Sequence, residues 1–286
     1  MRSRLLALLA ALALAVTTGF VVGCGDDDDD DGGGGGGGGG EDLGLVEEGQ
    51  LLVGTDTPFP PFEIGQPPDI SGYDIEVLNA IAENLGLEVT YQDTSFDTIF
   101  RDVANGQFDI VAAASTITPE RQEKVTFSDP YYEAQQALLV PEGSDIATTA
   151  DLSGKIVGAQ DGTTGETYAN DETEASEVRG FPEGPDATAA LQTGQVEAVI
   201  IDQPVAVDAL EQGGVVLAEE IATNELYGFA MAPDNTALAD AVNGALSDIK
   251  EDGTLTELYQ KYFKADPPPS VLEGTTESSD STETTG

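Results

Sequence analysis

The chain carries 54 acidic residues against 10 lysines and arginines, a net charge of −44. A cation set among polar turns therefore calls for a reason. Arg121 lies in STITPERQEKVTFSDPYY, residues 115–132. Its guanidinium is a planar fork of N–H donors that can hold a carboxylate through two charge-assisted bonds. Other groups able to bind sit at the ends of apolar runs: Asp56, Ser115 and Thr116, Gln160 and Asp161 before a GTTG turn, and Asp202. One cation, two carboxylates, several hydroxyls and a glycine turn suit a ligand with separated positive and negative charges.

The same composition removes other chemistries. There is no histidine, so a histidine triad, a histidine base and a histidine-ligated metal are excluded. Cys24 is the sole cysteine, which leaves no intrachain disulfide or thiolate cluster. No metal, cofactor or catalytic residue is implied. Nucleic acid is not an expected partner, because phosphate binding needs clustered Lys and Arg.

Short apolar runs alternate with helical patterns through most of the chain, which predicts an α/β fold. GQLLVGTD, LEVTYQD, FDIVAAAST, GKIVGAQ, VEAVIID, VVLAEE and LYGFAMAP read as strands. YDIEVLNAIAENLG places Ile75, Leu78, Ile81 and Leu85 on one helical face and ends on Gly86 as C-cap. SFDTIFRDVANG, ATAALQTG and QPVAVDALEQ are further helices, and ALADAVNGALSDIKEDGTLTELYQKYF is a long or broken helical pair. Four of the strands turn polar at their carboxyl ends, at Asp56, at Ser115–Thr116, at Gln160–Asp161 and at Asp202. Open α/β sheets bind ligands outside those ends. Each residue also has an ordinary reading. Arg121 could be a solvated third residue of a helix capped by Thr118 and started by Pro119, and the carboxylates and the GTTG turn could be plain strand-to-loop features.

The termini read as address and leash. MRSRLLALLAALALAV has two arginines and an apolar run, as a secretory signal does. VVGC resembles a bacterial lipoprotein processing site, with cleavage before Cys24 and lipid on its sulfur. An uncut signal anchor is the alternative, since Leu5–Val22 could nearly span a bilayer. Residues 24–43, with six Asp and nine Gly in a row, cannot build a core and read as a tether. Residues 266–286, rich in Pro, Ser and Thr, are expected to be disordered. The acidity predicts salt adaptation, because in about 1 M salt the Debye length of roughly 3 Å suppresses self-repulsion. A merely acidic surface is the alternative.

The blocks VGTDTPFPPFE, ISGYDIEVLNAIAENLGLEVTY, ANGQFDIVAAASTITPERQEKVTFSDPYY, DLSGKIVGAQDGTTGETYA and LYGFAMA with the following VNGALSDIKEDGTLTELYQKYF carry a resemblance. From about Gln50 to Phe263 the chain resembles the periplasmic amino-acid-binding proteins of ABC importers, the extracellular solute-binding proteins of family 3. The resemblance implies a two-lobed, Venus-flytrap α/β fold with two hinge crossovers. One lobe would comprise 44–130 and 231–265 and the other 136–225, with hinges at 131–135 and 226–230. It implies that Arg121 grips a ligand α-carboxylate, helped by Thr116 and the backbone N–H groups of Thr163 and Thr164. Asp202 would hold the α-ammonium beside the carbonyl of Ala114. Phe59 and Phe96 would sandwich the side chain, and Asp56 and Gln160 would read its polarity. A polar or basic L-amino acid is the expected ligand. An ABC permease in the cytoplasmic membrane is the expected partner, with the protein held by lipid on Cys24 at the outer membrane face, in the periplasm or at the cell surface. Two alternatives share the fold: a periplasmic dehydratase acting on prephenate or arogenate, for which Glu166 or Asp161 could serve as acid, and a ligand sensor.

Overall fold

The computed structural model describes residues 42–273. The signal, Cys24, the Asp/Gly run and the tail beyond 273 lie outside the described residues. In chain order, β1 (Gln50–Thr55) is followed by the hairpin β2 (Ile64–Gln66) and β3 (Asp69–Ser71), then α1 (Tyr73–Leu85), β4 (Glu88–Asp93), α2 (Phe96–Ala104), β5 (Ile110–Val111), α3 (Pro119–Gln122) and β6 (Thr126–Phe127). The long β7 (Tyr132–Pro141) opens a second run: β8 (Ile156–Gln160), α4 (Thr164–Asp171), β9 (Glu177–Phe181), α5 (Gly184–Gln192), β10 (Ala198–Asp202), α6 (Gln203–Gln212) and β11 (Val215–Tyr227). The chain then returns through β12 (Ala230–Met231) to α7 (Thr236–Glu251), α8 (Thr254–Phe263) and α9 (Pro269–Leu272).

Two five-stranded sheets result, with strand orders β4-β1-β5-β12-β6 and β11-β7-β10-β8-β9. Each is a lobe with its own parallel centre. β1 pairs in parallel with β4 and β5, and β8 with β10 and β9. The chain leaves the first sheet after β6 and comes back between β11 and β12. β7 and β11 pair antiparallel from Val215↔Pro141 to Tyr227↔Tyr132, so the two crossings run side by side. Their junction is packed with rings: Phe62, Tyr73, Tyr132, Tyr227, Tyr259 and Phe263 meet at centroid distances from 4.6 to 6.2 Å. Aromatic contacts of this kind give area and fixed geometry together.

Local sequence explains the elements that reach the site. In α1 the apolar spacing buries Ile75, Leu78 and Ile81, and Gly86 closes the helix in the left-handed conformation. Gly72, which precedes α1 at φ 131°, would place a Cβ 1.9 Å from the carbonyl oxygen of Phe62, so only glycine fits there.

Four readings change. FDIVAAAST forms a strand only at Ile110–Val111, because the chain peels away at Ala114, whose φ is 43°. LYGFAMAP is not one strand: Leu226–Tyr227 ends β11 in one sheet, and Ala230–Met231 belongs to the other. VVLAEE extends, with two irregularities, as far as Tyr227. The start of the tail is ordered, not loose. Prolines preset the backbone for α9, Val271 is fully buried, and the Ser270 hydroxyl donates to the Glu133 carboxylate on β7.

Candidate ligand-binding cleft

A cavity lies where the carboxyl ends of both sheets face one another. Asp56 follows β1, Ala114 and Thr116 follow β5, Gln160 ends β8, Thr163 and Thr164 start α4, and Asp202 ends β10. All of these line it, together with Phe59, Phe96, Ala113 and Arg121. The residues that the family resemblance assigns to ligand contact are thus in one place, whereas Ser115 and Asp161 do not line the cavity. The space left is about 10 Å³, that of one water-sized sphere. Hydrogen bonds between the lobes close it. Gln160 Nε2 donates to Asp56 Oδ2 at 2.6 Å, and Arg121 Nη2 donates to the Gly162 carbonyl at 3.1 Å. Anything larger than a water enters only when these part.

Arg121 is positioned by a local motif. The Thr118 hydroxyl accepts from the Arg121 backbone N–H at 3.2 Å, with Pro119 opening α3. Its side chain is not solvated as the ordinary reading would have it. It is 9% exposed, donates to the Thr116 carbonyl at 2.8 Å, and lies over the rings of Phe96 and Phe100 at 5.2 and 4.7 Å. Burial lowers its pKa to about 10, which leaves it charged at neutral pH. None of the ion pairs among the described residues includes it.

Asp202, on the other lobe, accepts from the Tyr227 hydroxyl at 2.5 Å and from Gln136 Nε2. Burial first, and then the charge of Glu225, raise its pKa to about 7, against the pull of those two hydrogen bonds and of Arg121. Such a carboxylate is short of a cation.

Glu225 was not found from the sequence. It is buried on β11 just before the return crossing and accepts from Thr116 Oγ1 at 2.6 Å, Thr164 Oγ1 at 2.7 Å and Gln136 Nε2 at 3.0 Å. One threonine belongs to each lobe, so Glu225 ties the two together. Thr116 lines the cavity while its hydroxyl donates to Glu225. One more acid in TNELYGF gives no contrast in an acid-rich chain, so no sequence signal marked it.

Asp56 lines the cavity from the first lobe. It is 3% exposed, and burial with help from Asp93 raises its pKa to about 6. Its Oδ2 takes the bond from Gln160, while Oδ1 is buried without a partner. Behind Ala114 lies Asp74, whose Oδ2 accepts from the Ala114 N–H at 2.8 Å and from the Tyr131 hydroxyl at 2.6 Å. Asp74 is raised to about 6 and Glu63 well above its usual value, in both cases chiefly by burial. The acids considered for dehydration do not line the cavity; Glu166 instead accepts from the Gly162 N–H at 2.8 Å.

Two α/β lobes joined by paired crossings, with a buried guanidinium and a buried carboxylate facing one cleft, define a two-lobed solute-binding protein. The chain belongs to the bacterial extracellular solute-binding proteins, family 3, whose profile matches residues 51–265. It is 32% identical over 225 residues to the L-cystine-binding protein TcyJ of Escherichia coli (strain K12), covering 77% of this chain and 85% of that one. It is 32% identical over 217 residues to ABC transporter arginine-binding protein 1 of the same strain, covering 73% and 89%. Among solved structures it resembles an ancestral arginine-binding protein bound to arginine. The TM-score is 0.72 and the identity 38%, covering 75% of this chain and 98% of that one. Among the described residues, no helix is long and apolar enough to cross a membrane.

Proposed function

We propose that this protein captures a polar or basic L-α-amino acid outside the cytoplasmic membrane and delivers it to an ABC permease. The observation that carries the reading is that Arg121 and Asp202 line one cavity from opposite lobes, both buried. A zwitterion spans such a pair. Its carboxylate would take the free guanidinium donors of Arg121 and the backbone N–H groups of Thr163 and Thr164 at the start of α4, where a helix favours negative charge. Its ammonium would meet Asp202 and the carbonyl of Ala114. Phe59 and Phe96 would flank the side chain, with Asp56 and Gln160 at its tip. The names of the arginine- and cystine-binding relatives support this class of ligand.

Opening and closing would take place as a hinge motion of 44–130 with 231–265 against 136–225, bending at 131–135 and 226–230. Lipid on Cys24 and the Asp/Gly leader would hold the protein near its permease. The acidity would make high salt stabilising. No turnover is expected.

Calorimetry on the purified full chain tests the reading after a thermal-shift screen of the twenty amino acids in high and low salt. Arg121→Ala should lose roughly 30- to 4000-fold in affinity, the equivalent of ~2–5 kcal/mol for stripping one partner from a desolvated charge pair. Undiminished affinity in that variant would reject the clamp.

A further inference from the structure

Burying a carboxylate costs free energy unless a cation or donors meet it. The Asp56 end of the cavity has too few of either. Asp56 lines the cavity, and its Oδ1 is buried with no hydrogen-bonded partner, the only other donor acting on the carboxyl besides Gln160 being the backbone N–H of Phe96. On the second lobe, Glu183 Oε2 is likewise buried without a partner. None of the ion pairs among the described residues includes Asp56, Asp93 or Glu183.

Geometry brings Glu183 to this end. Gln160 Nε2 donates both to Asp56 Oδ2 at 2.6 Å and to the carbonyl of Pro182, the residue before Glu183, at 3.1 Å. On the other side of Glu183, a Cβ on Gly184 would stand 3.2 Å from the Phe59 ring and 3.4 Å from Gln160 Oε1. Residues 182 and 184 therefore pack against Gln160 and Phe59, which line the cavity, so Glu183 stands just behind that lining, and its carboxyl feels Asp56 as its strongest neighbouring charge, ahead of Asp93 and Asp186.

Local structure gives Glu183 no other task. It occupies the N-cap position of α5, yet its side chain makes no capping bond. A residue chosen for that position would be Ser, Thr, Asp or Asn. Complementing the helix dipole would suit a hydrated carboxylate, whereas Oε2 is withdrawn from water.

We propose that Glu183 is the second jaw of a clamp for a cationic side chain, whose guanidinium or ammonium head lies between Asp56 on one lobe and Glu183 on the other. The inference rests on the amino-acid-binding reading above and narrows it to basic L-amino acids. A cation there joins the lobes at the side-chain end, as the zwitterion does at Arg121 and Asp202. A neutral side chain of the same shape would leave both carboxylates unmatched, which a buried site penalises heavily.

The test compares L-arginine with L-citrulline, which has nearly the same shape but carries a neutral urea. Affinities are measured by calorimetry on the full chain, wild type and Glu183→Gln. Wild type should prefer arginine by about a hundredfold or more, and Glu183→Gln should cut that preference about tenfold, the scale of one charged hydrogen bond. Glu183→Asn, which also removes the charge but suits an N-cap, should behave alike, and its melting curve guards against misfolding. The wild-type preference should also shrink as pH falls through about 7 to 6, as Glu183 and then Asp56 take up protons beside Asp93 and Asp186. Equal binding of arginine and citrulline by wild type would overturn the cation clamp while leaving amino-acid binding intact. A full preference retained in both variants would remove Glu183 and leave Asp56 alone. Binding of no amino acid would overturn both readings.

Discussion

The Asp74 carboxylate accepts a 2.8 Å hydrogen bond from the backbone N–H of Ala114, a residue held at φ 43° on the wall of the cleft. A non-glycine residue in that region costs roughly 1–2 kcal/mol, so something must hold it there. Asp74 does so from behind, fixed in turn by the Tyr131 hydroxyl. The bond fixes the peptide plane through which the chain enters Ala114.

Asp74→Ala should therefore weaken amino-acid binding at least tenfold, although Asp74 does not line the cavity. It strands the Ala114 N–H and the Tyr131 hydroxyl, each costing about 1–3 kcal/mol when buried and unmatched. Adding Ala114→Gly, which tolerates the backbone angle, should recover part of the loss. Calorimetry of the two single variants and the double one decides. Strictly additive losses would mean that Asp74 does not act through Ala114.

Glu225 makes a different prediction, because it both bridges the lobes and raises Asp202. Glu225→Gln removes that neighbouring charge, so the Asp202 carboxyl should titrate lower than about 7. Affinity for an amino acid should then persist to more acidic pH than in wild type. The amide also replaces an acceptor shared by Thr116 and Thr164. Ligand dissociation should quicken, read by stopped-flow fluorescence of the Tyr residues. An unchanged pH profile would separate Glu225 from Asp202.

The pH dependence of folding has a definite sign. Asp56 and Asp74 are raised to about 6 and Asp202 to about 7. The folded chain therefore binds protons that the unfolded chain releases between about pH 4 and 7. Ligand-free stability should fall as pH rises through that window, by about 1.4 kcal/mol per pH unit for each group while it titrates. Melting in about 1 M salt, where surface repulsion is screened, should give a higher Tm at pH 5 than at pH 8. Ligand binding runs the other way. An ammonium needs Asp202 ionised, so capture near pH 6 should expel protons, seen as a buffer-dependent heat in calorimetry. A Tm that climbs from pH 5 to 8 would contradict the burial of these groups.

How much of this was legible in the chain depends on contrast. Arg121 stood out because cations are rare here, and Asp56 and Asp202 because each ends an apolar run. Glu225, Asp74, Glu63 and Glu183 had no such contrast among 54 acids. What separates them is burial, which is a property of the tertiary fold. Gln136 was hidden for the same reason: QQALLV reads as an ordinary strand, and only the crossing of β7 with β11 brings its amide to Asp202 and Glu225. Likewise the break after Tyr227 follows from where the two sheets lie, since LYGFAMAP has the local pattern of one strand.

The C-terminal segment yields the last prediction. α9 follows the first lobe's helices and lies against β7, one of the two crossing strands, with Val271 fully buried and Ser270 bonded to Glu133. Val271→Ala should cost about 2 kcal/mol through lost burial and the space left behind. For a domain of this size that lowers Tm by about 4–8 °C. Because the segment spans from a lobe to a crossing strand, loosening it should also ease opening, so ligand should leave faster than from wild type. Ending the chain after Ala265 should reproduce both effects. Unchanged melting and release in both proteins would show that the packing of Val271 against the crossing contributes nothing to holding the lobes.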